Sequence, residues 1–365
     1  MILDNEVPET TGAGGAGLTA SRKDDHIKFA LEQQNEAPQR SDFDAVEFVH
    51  HALSGINVEN VSRVTAVGDM VWASPLYINA MTGGTETALR VNRALAQAAA
   101  ETGTTLASGS LGIALDHPET RDSFEVLRAE NPNGFVLANI GAGRGVDDAL
   151  RAVEMLEADA LQIHINAVQE TVMPEGSRDF GTWLEGIAQI AQALPVPVIA
   201  KEVGFGLSRR TLNQLREAGI DIADVSGKGG TNFARIEAER RSDGYDDLID
   251  WGQSTVACLL DAPEFGTLLA SGGVRSPVDA VKALALGAAA VGIAGRILRV
   301  AIDGDAHEVV QQLEWWNTRV SELSALLGAE TPAELTHTDV LLRGAVREFC
   351  ELRGIDAAAY ARRSV

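Results

Sequence analysis

Cysteine and uninterrupted apolar sequence are both scarce in this chain. Only Cys258 and Cys350 occur among its 365 residues. Two cysteines are too few for a disulfide framework or a zinc cluster, which favours a reducing, cytoplasmic compartment. The longest apolar run, AVKALALGAAAVGIAG, is interrupted by Lys282 and several glycines, so no transmembrane helix is expected. The first residues lack a basic stretch followed by an apolar one, which argues against a secretory signal.

Positive charge is scarce as well. Lys and Arg number 30 against 52 Asp and Glu, which gives a formal net charge of −22. Such a balance argues against nucleic acid or an anionic membrane as the partner. It also makes any local group of cations informative, because an anionic ligand would need one.

What the sequence does contain is a regular alternation of short β-rich runs and longer helical stretches. Eight strands alternating with helices predict a parallel sheet closed into a (β/α)8 TIM barrel, and a doubly wound open sheet is the alternative. Residues 1–20, rich in Gly, Ala and Thr, are predicted to be a flexible N-terminal tail, and 21–365 a single barrel domain. Stretches 307–328 and 339–354 are predicted to be additional C-terminal helices. The predicted strands are 75–81, 104–109, 135–140, 160–165, 196–201, 221–226, 267–272 and 289–294.

Glycine-rich turns follow the predicted strands, at the edge where barrel enzymes place the active site. The last two turns, SGGVRSP (271–277) and GIAGR (292–296), stand where barrels commonly hold a phosphate. Glycines let backbone N–H groups approach phosphate oxygens, and SGKGGTNF (226–233) adds further donors, including the Thr231 hydroxyl. Ordinary turns are the alternative. The phosphate ligand would be either a flavin mononucleotide or a sugar phosphate.

The fourth predicted strand runs into a group of polar residues in LQIHINAVQE (161–170). Its period-two alternation places the aliphatic side chains, such as Ile163, towards the helices, and His164 and Asn166 towards the mouth of the barrel. Glu170 is a hard oxygen ligand of the kind that Mg²⁺ uses, and a buried polar network is the alternative interpretation.

Three basic residues bear on an anionic ligand. Lys201 ends the apolar strand PVPVIAK, where it is either a solvated strand end or a cation that faces a cofactor. A positive charge beside the N1/O2 edge of a flavin would stabilise the anionic reduced ring. Arg22 and Lys23 precede a predicted helix, and they are either a surface helix start or a clamp for a substrate phosphate.

Taken together, these motifs resemble the FMN-dependent, type 2 isopentenyl-diphosphate delta-isomerase family. The resemblance is collinear from about Arg22 to Asp356. It is carried by RKDDHIKFALEQ, INAMTGG, HINAVQE, PVIAKEVG, DVSGKGGTNFARIE and ASGGVRSPVDAVKALALGA. It implies an FMN-binding barrel that interconverts isopentenyl and dimethylallyl diphosphate with Mg²⁺ and a reductant such as NADPH, and with no net redox change. It also implies a homo-oligomer, a tetramer or an octamer.

The resemblance further assigns roles to individual positions. It implies that Glu170 binds Mg²⁺ and that Gln169 contacts the reacting alkene. The implied substrate-binding residues are Arg22, Lys23, Ser110, His164, Asn166 and Gln169. The implied FMN contacts are Ala80, Met81, Thr82, Ser110, Asn139, Lys201, Ser226 and Thr231, together with the phosphate-loop residues Gly272, Gly273, Arg275, Ala294 and Gly295.

One position departs from the family pattern. Many members follow the second-strand serine with Gln-Arg, and that arginine helps to hold the diphosphate. Here Ser110 is followed by Leu111 and Gly112. This chain is therefore expected to bind the diphosphate differently, or to bind a somewhat different substrate.

Moving a double bond requires protonation of an unactivated alkene, which demands a strong acid in a dry pocket. Since no cysteine motif or carboxylate pair stands out for that task, the hypothesis is that reduced FMN is the acid–base catalyst, with Gln169 orienting it or relaying the proton. Two other functions remain alternatives. One is an FMN oxidoreductase related to the α-hydroxy-acid oxidases, with His164 as its catalytic histidine. The other is a non-catalytic flavin or phosphate sensor.

Overall fold

The eight predicted strands close into one parallel barrel, which confirms the predicted fold class. The computed structural model describes residues 28–35, 41–79, 82–239, 245–262 and 264–364. Each barrel strand pairs with its neighbours in chain order, and the last pairs with the first, Val291 opposite Leu76. The barrel strands are β4 Leu76–Asn79, β5 Thr105–Ala107, β6 Val136–Gly141, β7 Ala160–Ile165, β8 Val198–Glu202, β9 Ile222–Asp224, β10 Thr267–Ala270 and β11 Ala290–Ile293.

Helices alternate with these strands and cover the outside of the barrel. Several have a hydroxyl N-cap, such as Thr85, Ser208, Ser254 and Ser276, whose side chain accepts a backbone N–H of the first turn. The helices are α1 at 28–35, α2 Glu86–Thr102, α3 Gly112–Asp116, α4 Asp122–Ala129, α5 Val146–Leu156, α6 Ala167–Val172, α7 Trp183–Ala193, α8 Arg209–Glu217, α9 Phe233–Glu239, α10 Thr255–Leu260, α11 Pro277–Ala285, α12 Gly295–Asp303, α13 Ala306–Leu327, α14 Gly344–Arg353 and α15 Ala357–Tyr360. Short 3₁₀ helices cover Asp42–Ala45, Val58–Asn60, Pro118–Thr120, Asp246–Leu248 and Ala333–His337.

A hairpin packs into the amino-terminal end of the barrel. Its strands are β2 Thr65–Val67 and β3 Met70–Trp72. Trp72 lies edge-on to Tyr77 of β4, with ring centroids 5.6 Å apart. The hairpin forms one apolar cluster with inward-facing strand residues such as Leu137 and Ile199. The opposite, carboxyl-terminal end of the barrel is therefore the one that can hold a ligand.

The chain after the barrel packs against it. In α13 the buried face includes Leu313, Trp316 and Val320, and the helix contacts α2 and α11. The second predicted helix is only partly correct, because its first residues form strand β12 Val340–Leu342, which pairs antiparallel with β1 Val46–Phe48. Among the described residues, no helix is both long and apolar enough to cross a membrane.

Candidate active site

A cavity of about 1250 Å³ opens at the carboxyl-terminal ends of the barrel strands. The loops after seven of the barrel strands, β5 to β11, contribute described residues to its wall, and β4 contributes its last residue, Asn79. Fourteen predicted site residues line the cavity: Ser110, Asn139, His164, Asn166, Gln169, Glu170, Lys201, Ser226, Thr231, Gly272, Gly273, Arg275, Ala294 and Gly295. The fold therefore gathers residues that are up to 185 positions apart in the sequence into one site, as expected for a barrel enzyme.

Five predicted site residues are not among the lining residues that the structure describes. Arg22, Lys23, Ala80 and Met81 lie outside the described residues, so their assigned roles stay predictions. Thr82 is buried, and its hydroxyl donates to Asn92 Oδ1 at 2.8 Å. Its side chain therefore supports the loop after β4 and is not part of the cavity lining.

The exit of β7 is organised by Asn166. Its Nδ2 donates to Glu170 Oε1 at 3.0 Å and to Gln169 Oε1 at 3.3 Å. The other oxygen of Glu170, Oε2, accepts the backbone N–H of Ser177 at 2.7 Å. A carboxylate oxygen offers about two lone pairs, so each Glu170 oxygen keeps capacity for a further ligand.

Glu237 is a functional candidate that the sequence did not reveal. It lies on α9, is fully buried, and its Oε1 accepts a hydrogen bond from Gln169 Nε2 at 3.1 Å. A buried carboxylate in this position fixes which end of the Gln169 amide faces it. The pattern TNFARIE offered only one signal, an acidic residue on the buried side of an amphipathic helix.

A second polar group spans the strands β6 and β7. Asn139 Oδ1 lies 2.8 Å from His164 Nδ1, and Asn139 Nδ2 donates to Gln162 Oε1 at 3.3 Å. Two buried atoms of this region, Gln162 Nε2 and Ser108 Oγ, have no hydrogen-bond partner among the described residues. Because unpaired buried polar atoms are costly, a ligand in the cavity that bonds to the hydroxyl of Ser108, a lining residue, would stabilise this part of the barrel.

Lys201 belongs to a buried ion pair at the base of the cavity. Its Nζ lies 3.1 Å from Asp224 Oδ2 and donates to Ser226 Oγ and Ser271 Oγ at 3.1 and 3.2 Å. Tyr77 donates to the same Asp224 oxygen at 2.6 Å, and burial, followed by the charge of Asp224, raises the pKa of this phenol well above its ordinary value. Lys201 is therefore not a solvated strand end. Asp224 was missed because its significance depends on pairing across the sheet, where it lies directly opposite Lys201.

The glycine loops after β9 and β10 pack backbone to backbone. A Cβ on Gly272 would lie 2.0 Å from Gly227 O, and one on Gly230 would lie 3.0 Å from Gly273 N. Gly272 and Gly273 also have left-handed φ values of 85° and 73°, which side chains disfavour. The glycines are thus required by the backbone approach, and they leave a wall of main-chain atoms facing the cavity.

Arg275 lines the cavity, but its guanidinium is bound to carboxylates. It donates to Asp44 Oδ1 at 2.5 Å through Nη2, and to Asp279 Oδ2 at 3.0 Å through Nε. The guanidinium holds the pKa of Asp44 down at about 2. The expected phosphate contact of this side chain therefore competes with two ion pairs that already occupy it.

A different arginine lies at the position where the sequence departs from the family pattern. A Cβ on Gly112 would lie 3.1 Å from Arg144 Nη2. Arg144, from the loop after β6, also lines the cavity. It pairs with Asp116 and Asp148, at 2.7 and 3.1 Å through Nη1. The space beside Gly112 is thus filled by a guanidinium whose charge is balanced by neighbouring carboxylates.

Glu202 controls the shape of the loop after β8. A single carboxylate oxygen, Oε2, accepts the backbone N–H groups of residues 203–206 at 2.7, 2.8, 2.5 and 3.1 Å. Burial nevertheless raises the pKa of Glu202 to about 7, against the lowering effect of these four donors. Val203 and Gly204 of this loop form part of the cavity wall.

Comparison with known proteins shows which family this chain belongs to. The model of the FMN-dependent dehydrogenase family matches residues 128–342. An isopentenyl-diphosphate delta-isomerase of Kitasatospora griseola is 54% identical over 348 residues, which cover 95% of this chain and 96% of that protein. The chain belongs to the isopentenyl-diphosphate delta-isomerase family. A further member, from Nocardia farcinica, is 52% identical over 350 residues, covering 95% of this chain and 97% of that protein.

Solved structures confirm the barrel independently. A mandelate oxidase mutant with (S)-mandelic acid matches with a TM-score of 0.61 at 16% identity, over 90% of this chain and 99% of that one. A chimera of (S)-mandelate dehydrogenase matches with a TM-score of 0.61 at 18% identity, over 86% and 96%. At such identities the likeness shows the fold alone. The family resemblance derived from the motifs is confirmed by the isomerase relatives.

Proposed function

We propose that this chain interconverts isopentenyl and dimethylallyl diphosphate, using FMN and Mg²⁺, in isoprenoid biosynthesis. The observation that carries the proposal is the shared cavity. The amide and carboxylate group at the exit of β7 faces the same space as the glycine loops after β9 and β10. A flavin phosphate and an allylic substrate would thus be held within one site. Its relatives' names supply the reaction.

The residues present fit FMN at both of its ends. The glycine loops offer main-chain atoms to the phosphate, because side chains are excluded there. Ser108 Oγ, which is buried without a partner among the described residues and belongs to a residue of the cavity wall, suits the edge of the flavin ring. Reduced FMN, when bound, would supply the acid–base group for the alkene. Lys201 would stabilise negative charge on the ring, with Asp224 holding its ammonium in place.

Glu170 is the proposed Mg²⁺ ligand. No cluster of three or more potential metal-ligating side chains occurs in the described parts of the chain. A metal here would therefore complete its shell with water and substrate phosphate oxygens, as Mg²⁺ commonly does. The spare lone pairs of Glu170 and its fixed orientation by Asn166 fit this role. Arg22 and Lys23 would contribute positive charge to the same diphosphate.

Gln169 is the proposed contact to the reacting alkene. Its amide accepts from Asn166 and donates to Glu237, so it is held on both sides. Glu237 acts as a positioning residue for this amide, and His164 shapes the neighbouring wall. Such fixed polar groups orient the substrate while leaving no mobile nucleophile near a developing cation.

The proposal is tested by an anaerobic assay. Isopentenyl diphosphate is incubated with the protein, FMN, Mg²⁺ and NADPH, and dimethylallyl diphosphate is followed by NMR together with the flavin spectrum. We expect isomerisation without net oxidation of flavin. Stoichiometric flavin oxidation per product would instead indicate an FMN oxidoreductase, and flavin binding without turnover would indicate a sensor.

The metal assignment has its own test. Glu170→Gln is expected to raise the Mg²⁺ concentration needed for half-maximal rate at least tenfold, because the amide has no charge for the metal. Glu185→Gln, which changes an exposed carboxylate of α7, is the control. Unchanged Mg²⁺ dependence in Glu170→Gln would refute the assignment.

We further propose a cytoplasmic homo-oligomer, a tetramer or an octamer, with NADPH as the reductant.

A further inference from the structure

Two cations on the cavity wall differ from the rest. Five basic side chains of the wall each have a carboxylate partner: Arg144 with Asp116, Lys201 with Asp224, Arg235 with Glu239, Arg275 with Asp44, and Arg299 with Asp303. Lys228 and Arg296 line the same cavity and have no carboxylate partner among the described residues. Within the described ranges, Lys228 Nζ bonds to a carbonyl oxygen, Asp250 O, at 3.2 Å. In a chain with a net charge of −22, cations left without a counter-charge at a cavity favour an anionic ligand.

The positions of these two residues relate them to one loop. Lys228 follows β9, and Arg296 lies in the first turn of α12, directly after β11. Strand β10 lies between β9 and β11 in the barrel. Its exit loop carries Gly272 and Gly273, and a Cβ on Gly273 would lie 3.2 Å from the backbone of Gly229. The two cations therefore flank the glycine loop on its two sides.

Arg275, the basic residue within the loop itself, has another task. Its backbone N–H and its Nε both donate to Asp279 Oδ2 at 3.0 Å, while its Nη groups bind Asp44. These bonds fix the loop to the start of α11 and to the segment before β1. Asp44 and Asp279 together engage four of the five N–H groups of this guanidinium, which leaves one for a phosphate.

We propose that Lys228 and Arg296 provide the positive charge that binds the FMN phosphate, while Arg275 is a positioning residue for the glycine loop. The assignment rests on the proposed flavin function. A phosphate monoester carries close to two negative charges at pH 7. Two flanking cations and the exposed main chain match that charge and its several acceptor oxygens.

Comparing FMN with riboflavin isolates the phosphate. Apoprotein is titrated with each flavin, and quenching of flavin fluorescence gives the dissociation constants. Arg296→Gln and Lys228→Gln are each expected to weaken FMN binding by about tenfold, the scale of one charge-assisted contact of roughly 1.4 kcal/mol. Riboflavin binding is expected to stay unchanged. Arg319→Gln, on the exposed face of α13, changes the net charge equally and should affect neither ligand.

The other outcomes overturn the assignment. Equal weakening of FMN and riboflavin would mean that the variants disturb the ring site or the fold. An unchanged FMN constant with a raised KM for the diphosphate substrate would assign the cations to the substrate. If the wild type and both variants bind FMN equally well, this inference alone is refuted. If the wild type binds no FMN, the proposed function is refuted as well.

Discussion

Replacing Glu202 with Gln tests which of two opposing forces controls a buried carboxylate of the site. Burial disfavours the charged form and raises the pKa, while four backbone N–H groups on one oxygen favour the charged form and lower it. The resulting pKa of about 7, against an ordinary value of 4.5, means that burial prevails. Gln keeps the size of the side chain and an oxygen acceptor, but it cannot ionise.

The size of the effect on stability follows from the linkage between protonation of Glu202 and folding. Between about pH 4.5 and 7 the folded protein holds a proton on Glu202 that the unfolded chain has released. Stability from this group is therefore fully present below pH 4.5 and decreases as the pH rises to 7. At about 1.4 kcal/mol per pH unit, the loss amounts to roughly 3 kcal/mol. Glu202→Gln removes this loss, so the free energy of unfolding of the variant should increase relative to that of the wild type as the pH rises.

Urea unfolding of the apoprotein at several pH values between 5 and 8 measures this difference. We expect the free energies of unfolding of wild type and Glu202→Gln to be similar at the low end and to diverge by up to roughly 3 kcal/mol at the high end. Glu185→Gln, an exposed carboxylate, should follow the wild type throughout. A free-energy difference between wild type and Glu202→Gln that stays constant from pH 5 to 8 would refute the reasoning, because a pKa held below 4.5 by the four N–H groups changes stability only at lower pH.

Three further outcomes are expected. Gly272→Ala should lower the free energy of unfolding by at least about 3 kcal/mol and weaken FMN binding, because a methyl group would meet Gly227 O. Gly287 also has a φ in the left-handed region, but it has open space around it. Gly287→Ala should therefore cost only about 1 kcal/mol. Lys201→Met should lower the flavin midpoint potential, because the anionic reduced ring loses its cation; an unchanged potential would place Lys201 away from the ring. Glu237→Gln should lower kcat about tenfold or more with little change in KM, and a purely raised KM would contradict its positioning of Gln169.

Local sequence patterns were sufficient to predict the barrel and some of the residues at the mouth of its cavity. The β-rich runs and the helical stretches between them differ in hydrophobic period, which depends only on neighbouring residues. The alternation in β7 likewise predicted that His164 and Asn166 face the cavity, because side chains of a strand alternate between its two faces. The glycine turns after β9 and β10 were recognisable because a close backbone approach tolerates no side chain. Strand β12 was missed because a three-residue strand carries too little periodicity.

Charge balance was decided only by the tertiary structure. Arg275 meets Asp44 across 231 positions of sequence, and Lys201 meets Asp224 only because β8 and β9 are in register. Glu237 reaches Gln169 because α9 packs against α6. A hydrophobic period is a property of one segment, whereas an ion pair depends on which segments the fold brings together. For this reason the sequence indicated which strand ends form the cavity, and the folded chain determined which cations of its wall have no carboxylate partner among the described residues.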